Sequence, residues 1–280
     1  MLIGLRCAIA ALVLIAVTPP LVVFWFWPHN SVLSNEYDEV YERHLLIAEN
    51  LGAALDLDHR DVVATFETFA PLIASGAPVN SDNLFRNLHF RHICVADPET
   101  GQVLREVLTE KAPCPAVVPA ERLSMFRDLA SGGETAMSGV KTPNDGEPRL
   151  FIVTESDGLI VIGAIGTQFF RELQARISFG RQGHAAIVDR DGRVLAHPLE
   201  RWEMEARDIS DISAVKRMMD GETGVQEFYS PALEGDMIAG FTSVPSPGWG
   251  VMVPQPVAEL EEVADRINRE ALSVLALSLI

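Results

Sequence analysis

No Gly-x-x-x-x-Gly-Lys-Ser/Thr, Gly-x-Ser-x-Gly, His-Glu-x-x-His or Asp-x-Asp-x-Asp-Gly pattern occurs in the 280 residues. Phosphate cradling, nucleophile-elbow catalysis and the common metal loops therefore have no support, and no catalytic residues are assigned. Basic side chains are in short supply: 22 Lys and Arg stand against 39 Asp and Glu, a net charge of −17. So acidic a chain repels phosphate backbones, which excludes nucleic acid as a partner. Tyrosine and tryptophan are absent between Tyr41 and Trp202, and between Cys7 and Trp27 no residue is charged. With 48% hydrophobic and 22% charged residues, the rest is too apolar for a disordered chain.

The uncharged run from Cys7 to Trp27 would extend about 31 Å as a helix, enough to cross a bilayer core. It lacks an Ala-x-Ala-like cleavage site and ends in Phe24-Trp25-Phe26-Trp27, which suits an interfacial belt and an uncleaved anchor over residues 1–28. Arg6, the one charge before it ends, favours a cytoplasmic N-terminus and an outside location for the chain from residue 29 onward. Pro19-Pro20 is expected to kink the helix or end half of it. At the other end, Val257, Leu260, Ala264, Ile267 and Ala271 keep helical spacing and run into the uncharged segment from Ala271 to Ile280. That predicts a signalling helix leading into a second, truncated membrane span over residues 257–280.

Between the anchors the chain repeats itself. Val95-Ala96-Asp97 and Gly101-Gln102-Val103-Leu104 are echoed by Ile187-Val188-Asp189 and Gly192-Arg193-Val194-Leu195. Gly133-Glu134-Thr135 is echoed by Gly221-Glu222-Thr223, and the Gly158 strand by the Gly248 strand; the three glycine offsets are 91, 88 and 90 residues. Each first match reads as a strand hairpin with a tight glycine turn. The chain thus holds two copies of one module, each closing on an apolar strand and a helix. Ahead of them, Tyr37, Tyr41, Leu45, Ala48, Leu51 and Leu55 keep helical spacing, and residues 61–74 predict a further, separate helix before a first strand near Phe90. The boundaries are 1–28, 29–80, 81–178, 179–256 and 257–280.

This arrangement resembles a double Cache sensor region, most closely over Gly183 to Pro198, Gly221-Glu222-Thr223-Gly224 and Pro247-Gly248-Trp249-Gly250-Val251. The resemblance implies an α+β fold: a long N-terminal helix carrying two stacked PAS-like modules, each an antiparallel sheet flanked by helices, between transmembrane helices. It implies a membrane-distal first module that takes the ligand and a membrane-proximal second module coupled to the second span. Such regions belong to bacterial sensor histidine kinases, chemotaxis receptors and cyclic-dinucleotide enzymes. The expected function is extracytoplasmic (periplasmic) sensing at the inner membrane by a homodimer, with a histidine kinase output. Chemotaxis receptor and diguanylate cyclase are rival outputs, and a non-signalling adhesion or assembly protein is a rival of another class.

A ligand pocket needs an apolar wall with a few convergent polar groups. The candidates are His92 on the opening strand, Arg122 after the hairpin, and Arg149, Phe151 and Thr154 on a later strand. An arginine there suits a carboxylate, whose two oxygens match the planar guanidinium. The amino-acid-binding members of the family carry an Arg followed closely by Trp-Tyr; here the stretch is Arg122-Leu123-Ser124-Met125-Phe126, which argues against amino-acid sensing by that pattern. Cys94 and Cys114 fit a disulfide in an oxidising compartment and equally fit two buried thiols. His89, His92 and Cys94 are a weak metal motif, because strand residues three apart face opposite ways; no metal and no cofactor are assigned.

Overall fold

The structure is a computed structural model that describes residues 2–79, 82–108, 113–142 and 146–278, with side chains chiefly between Tyr37 and Glu270. One helix, α1 (Leu2–Ser75), opens the chain and continues through Pro19-Pro20. The separate helix expected over residues 61–74 is instead the end of α1. The stretch from Ala53 to Ala70 holds no Gly or Pro, and Leu55, Val62, Phe66, Ala70 and Ile73 keep one buried stripe through it. In the segments expected to span a membrane, 1–28 and 271–280, side chains are described only at Leu12 and Ser273. Among the described residues no helix is long and apolar enough to cross a bilayer.

After α2 (Asp82–Asn87) come β1 (Phe90–Ala96), β2 (Val103–Leu108), α3 (Ala120–Ala130), β3 (Ala136–Met137), β4 (Arg149–Ser156), β5 (Leu159–Gly166) and α4 (Gln168–Ala175). A small hairpin, β6 (Ser178–Phe179) and β7 (Gly183–His184), leads to β8 (Ala186–Val188), β9 (Val194–Ala196), α5 (Glu200–Met204) and α6 (Ser213–Met219). The chain closes with β10 (Gly224–Ser230), β11 (Gly235–Val244), β12 (Trp249–Pro256) and α7 (Val257–Ser278). The first sheet runs β2-β1-β5-β4-β3 and the second β9-β8-β12-β11-β10, all neighbours antiparallel. Strand for strand this is one topology used twice, the two PAS-like modules that the resemblance implies.

The repeat has a backbone cause. Gly101 and Gly192, Gly133 and Gly221, and Gly158 and Gly248 all have φ between 71° and 82°, a region costly for a residue with a Cβ. In both hairpins the preceding aspartate closes the turn: Asp97 Oδ1 accepts the Glu99 and Thr100 amides, and Asp189 Oδ1 accepts those of Asp191 and Arg193.

Helix α1 lies along one face of both sheets. Phe66, Ala70 and Ile73 join Ile93, Leu150, Ile152 and Val161 of the first sheet, and Ala48, Leu51 and Leu55 belong to the same core with Val244, Val251 and Val253 of the second. The opposite face of the first sheet is covered by α3 through Leu123, Phe126 and Ala130. That of the second is covered by α5 and α6 through Trp202, Ala214, Val215 and Met218.

Candidate functional site

On the α3 side of the first sheet lies a cavity of about 400 Å³. Strand alternation decides what faces it. His92 and Cys94 reach it from β1, Arg149 and Phe151 from β4, and Ile162 from β5. Arg122 and Phe126 enter from α3, where a spacing of four residues puts them on one helix face. The segment between β2 and α3 closes the rim with Pro113, Pro115, Val118 and Pro119, and a disulfide between Cys94 and Cys114 fastens that rim to β1. His92, Arg149 and Phe151 are buried, whereas Arg122 is half-buried.

Of the five residues expected to bind a ligand, His92, Arg122, Arg149 and Phe151 thus share one wall. Thr154 does not line it: Phe151 and Val153 sit in the core cluster beneath α3, while Leu150 and Ile152 sit in the one beneath α1, and Thr154 follows the second parity. Phe126 packs edge-on against Phe151 at 5.2 Å, and the Arg122 guanidinium lies 6.0 Å from the Phe151 ring centre. The side-chain stripe Leu123, Phe126 and Ala130 could have marked α3 as a wall; the rim prolines carry no periodic signal. His89 leaves the cluster suggested by its spacing to His92. It stacks on Phe169 at 4.3 Å and faces Asp58 at 3.6 Å, outside the cavity.

His92, Cys94 and Cys114 bring ligand-type atoms within 4.8 Å of one another. Two of those atoms are the sulfurs of the disulfide, and zinc requires thiolates, so the set as bonded does not fit a resident metal.

A second cavity of about 430 Å³ lies between the modules, with Arg86, Arg91, Glu147, Arg171, Glu172 and Glu200 in its wall. Its charges are largely balanced within the protein. Arg91 pairs with Glu147, and Arg171 Nε lies 2.8 Å from Glu203 Oε1, at ion-pair distance without hydrogen-bond alignment. Burial pushes the Glu203 carboxyl up to about 7 against the opposing pull of Arg171.

The cavity under α3 connects to the second module through few atoms. Phe151 in its wall exchanges hydrogen bonds with Ser138: the Ser138 amide donates to the Phe151 carbonyl at 2.7 Å, and the Phe151 amide donates to Ser138 Oγ at 2.9 Å. Two residues on, the Val140 amide donates to Asp189 Oδ2 at 2.7 Å, and Arg190 Nη2 donates to the Met137 carbonyl at 2.6 Å. Asp189 is fully buried, and that burial raises its pKa. The hairpin turn of the second copy therefore serves also as the socket for the first.

Trp202 is packed in the second module. It is buried, stacked on His197 at 4.8 Å and capped by the Arg207 guanidinium at 4.4 Å.

Residues 153–270 match the family model of the Cache 3/Cache 2 fusion domain. No curated protein sequence matches the chain. Among solved structures, the extracellular domain of mmHK1S-Z3, assigned as a histidine kinase, aligns with TM-score 0.62 at 17% identity, covering 82% of this chain and 98% of that one. The periplasmic sensory domain of the Campylobacter jejuni chemoreceptor Tlp1 aligns with TM-score 0.59 at 11% identity over 80% and 98%. The ligand-binding domain of the Pseudomonas fluorescens chemoreceptor CtaA, in complex with L-serine, aligns with TM-score 0.52 at 19% identity over 81% and 98%. The fold is that of double Cache sensor domains.

Proposed function

We propose that this chain, a double Cache region by its fold, is the ligand-sensing part of a bacterial signal-transducing receptor. Residues 29–270 stand outside the inner membrane, and the first module (81–178) binds a small molecule in the cavity under α3. The observation that carries the reading is that cavity: an apolar wall into which two arginines and a histidine converge from three separate elements. The second module (179–256) relays the change. A ligand that pulls on Phe151 or α3 biases the Ser138–Val140 segment, which is plugged into Asp189, and hence the sheet from which α7 departs. Binding shifts a two-state equilibrium only by its differential affinity for the two packings, so the mechanism requires that the plugged and unplugged junctions differ in cavity shape. Transmission by helix displacement needs a second copy to move against, and the receptor is a homodimer. The output is a histidine kinase, a reading supported by the histidine-kinase assignment of mmHK1S-Z3.

Thermal unfolding of the full chain against a panel of carboxylic acids, amino acids, polyamines and purines tests this. At a hundred times its dissociation constant a ligand adds about 2.7 kcal/mol, or about 5–10 °C at this size. The reading predicts at least one such shift, abolished by Arg122→Ala or Arg149→Ala. A flat panel on the folded protein contradicts it.

A further inference from the structure

The disulfide at the cavity rim joins two sulfurs that stand beside an imidazole. His92 and Cys94 are two residues apart on β1 and share one strand face, and the bond brings Cys114 onto that face. The imidazole nitrogen and the two sulfurs lie within 4.8 Å of one another. His92 and Cys94 are buried, whereas Cys114 is half-buried in the cavity wall, so its sulfur is the one open to an attacking thiolate.

Opening the bond leaves the set together, because the rim is fastened without it. Glu106 Oε2 accepts the Cys114 amide at 3.3 Å, the Ala116 carbonyl accepts the Val103 amide at 3.0 Å, and the Val118 amide donates to the Gly101 carbonyl at 2.8 Å. We infer that, once reduced, Cys94 and Cys114 join His92 in a binding site for a thiophilic divalent cation of the zinc class, so that a metal replaces the covalent bond as the clasp of the rim. A dithiol is the reductant. One of its sulfurs attacks Cys114 Sγ and Cys94 Sγ leaves; its second sulfur then closes its own disulfide and releases Cys114, the two thiol protons coming from the reductant. Zinc displaces those two protons to solvent and takes the imidazole lone pair, leaving the fourth tetrahedral position to water from the cavity. Two thiolates neutralise the cation, and the donor set excludes magnesium and calcium, which need oxygen. Arg122 in the same wall favours the thiolate form. His92 has a further interaction within the protein, and a metal-bound imidazole is ordinarily held in that way through its second nitrogen.

The test uses the full chain with Cys7→Ser, which leaves the rim pair as its only cysteines, reduced with dithiothreitol and freed of it without oxygen. Cobalt(II), a coloured stand-in for zinc, is expected to bind once per chain, with a sulfur-to-metal charge-transfer band and the intense visible bands of a four-coordinate ion. Zinc should abolish both, magnesium should leave them, and the oxidised chain should show neither. Cys94→Ser with Cys114→Ser should remove the charge-transfer band. His92→Gln should weaken cobalt binding about tenfold or more, with far-UV circular dichroism unchanged. Where reduction or a substitution loosens the fold, the thermal midpoint carries the readout: zinc, and not magnesium, should raise that of the reduced chain. The inference is overturned by a rim bond that dithiothreitol leaves intact in the folded protein, by a reduced chain with neither cobalt bands nor a zinc-dependent midpoint, or by a charge-transfer band that survives the double substitution. The sensing reading is decided separately, by the ligand panel on the oxidised chain.

Discussion

His197 accepts the Leu199 amide at Nδ1, 3.0 Å away, so the neutral ring with its proton on Nε2 is the form the fold holds. Burial pushes its pKa from 6.5 down to about 3, and the neighbouring His184, also lowered by burial, adds to the fall. The unfolded chain takes up a proton below about 6.5 that the folded chain refuses, so this stability is present above 6.5 and lost progressively as pH falls toward 3. Glu203 acts in the opposite sense. Its folded pKa is raised from 4.5 to about 7, so its contribution is present below 4.5 and lost as pH rises through 7. His197→Gln should therefore remove about 2 kcal/mol of the destabilisation suffered between pH 7 and pH 5. Denaturant midpoints of parent and variant at the two pH values check it. An unchanged pH dependence would mean that His197 titrates normally in the folded protein.

Contacts between elements depend on how closely backbones approach. At Gly240 of β11, a Cβ would fall on the backbone of His44 and Leu45 in α1, closer than any rigid pair tolerates. Gly240→Ala must push α1 off the second sheet, and overpacking of this kind costs about 1–3 kcal/mol. Chemical denaturation should register that loss, whereas Gly133→Ala, where a Cβ meets nothing within 4 Å, should show the milder penalty of its positive φ alone. The same backbone logic explains what could be read from the residues. The doubled topology was legible because its turns need glycine at fixed places, Gly101 with Gly192 and Gly158 with Gly248. The continuity of α1 was less so, because the acidic run Asp56-Leu57-Asp58 resembles a linker until the stripe from Leu55 to Val62 is seen to carry across it. At the site, Arg149 and Phe151 were recognisable as one strand face, but Thr154 breaks that parity. The contribution of Pro113, Pro115 and Pro119 is tertiary, since they reach the cavity only through the Cys94–Cys114 bond and the start of α3.

Across the whole molecule, one helix underlies two copies of one sheet, and the route from cavity to the last helix does not have to pass through it. It runs Phe151, Ser138, Val140, Asp189, then β8 and its neighbour β12, which hands the chain to α7. Arg181 ties the loop between β6 and β7 to α7 as well, donating through its amide to Glu259 and through its guanidinium to Glu262 at 2.5 Å. A bound ligand should thus be felt in turn at the cavity, at the junction between Ser138 and Asp189, and at the start of α7. Hydrogen–deuterium exchange of the full chain with and without a saturating ligand from the thermal panel reads all three at once. The account predicts slowed exchange in residues 113–126 and 149–153, together with altered exchange at 137–140, 186–193 and the start of α7. Exchange unchanged at 113–126 and 149–153, with that ligand shown by calorimetry to be bound, would contradict it.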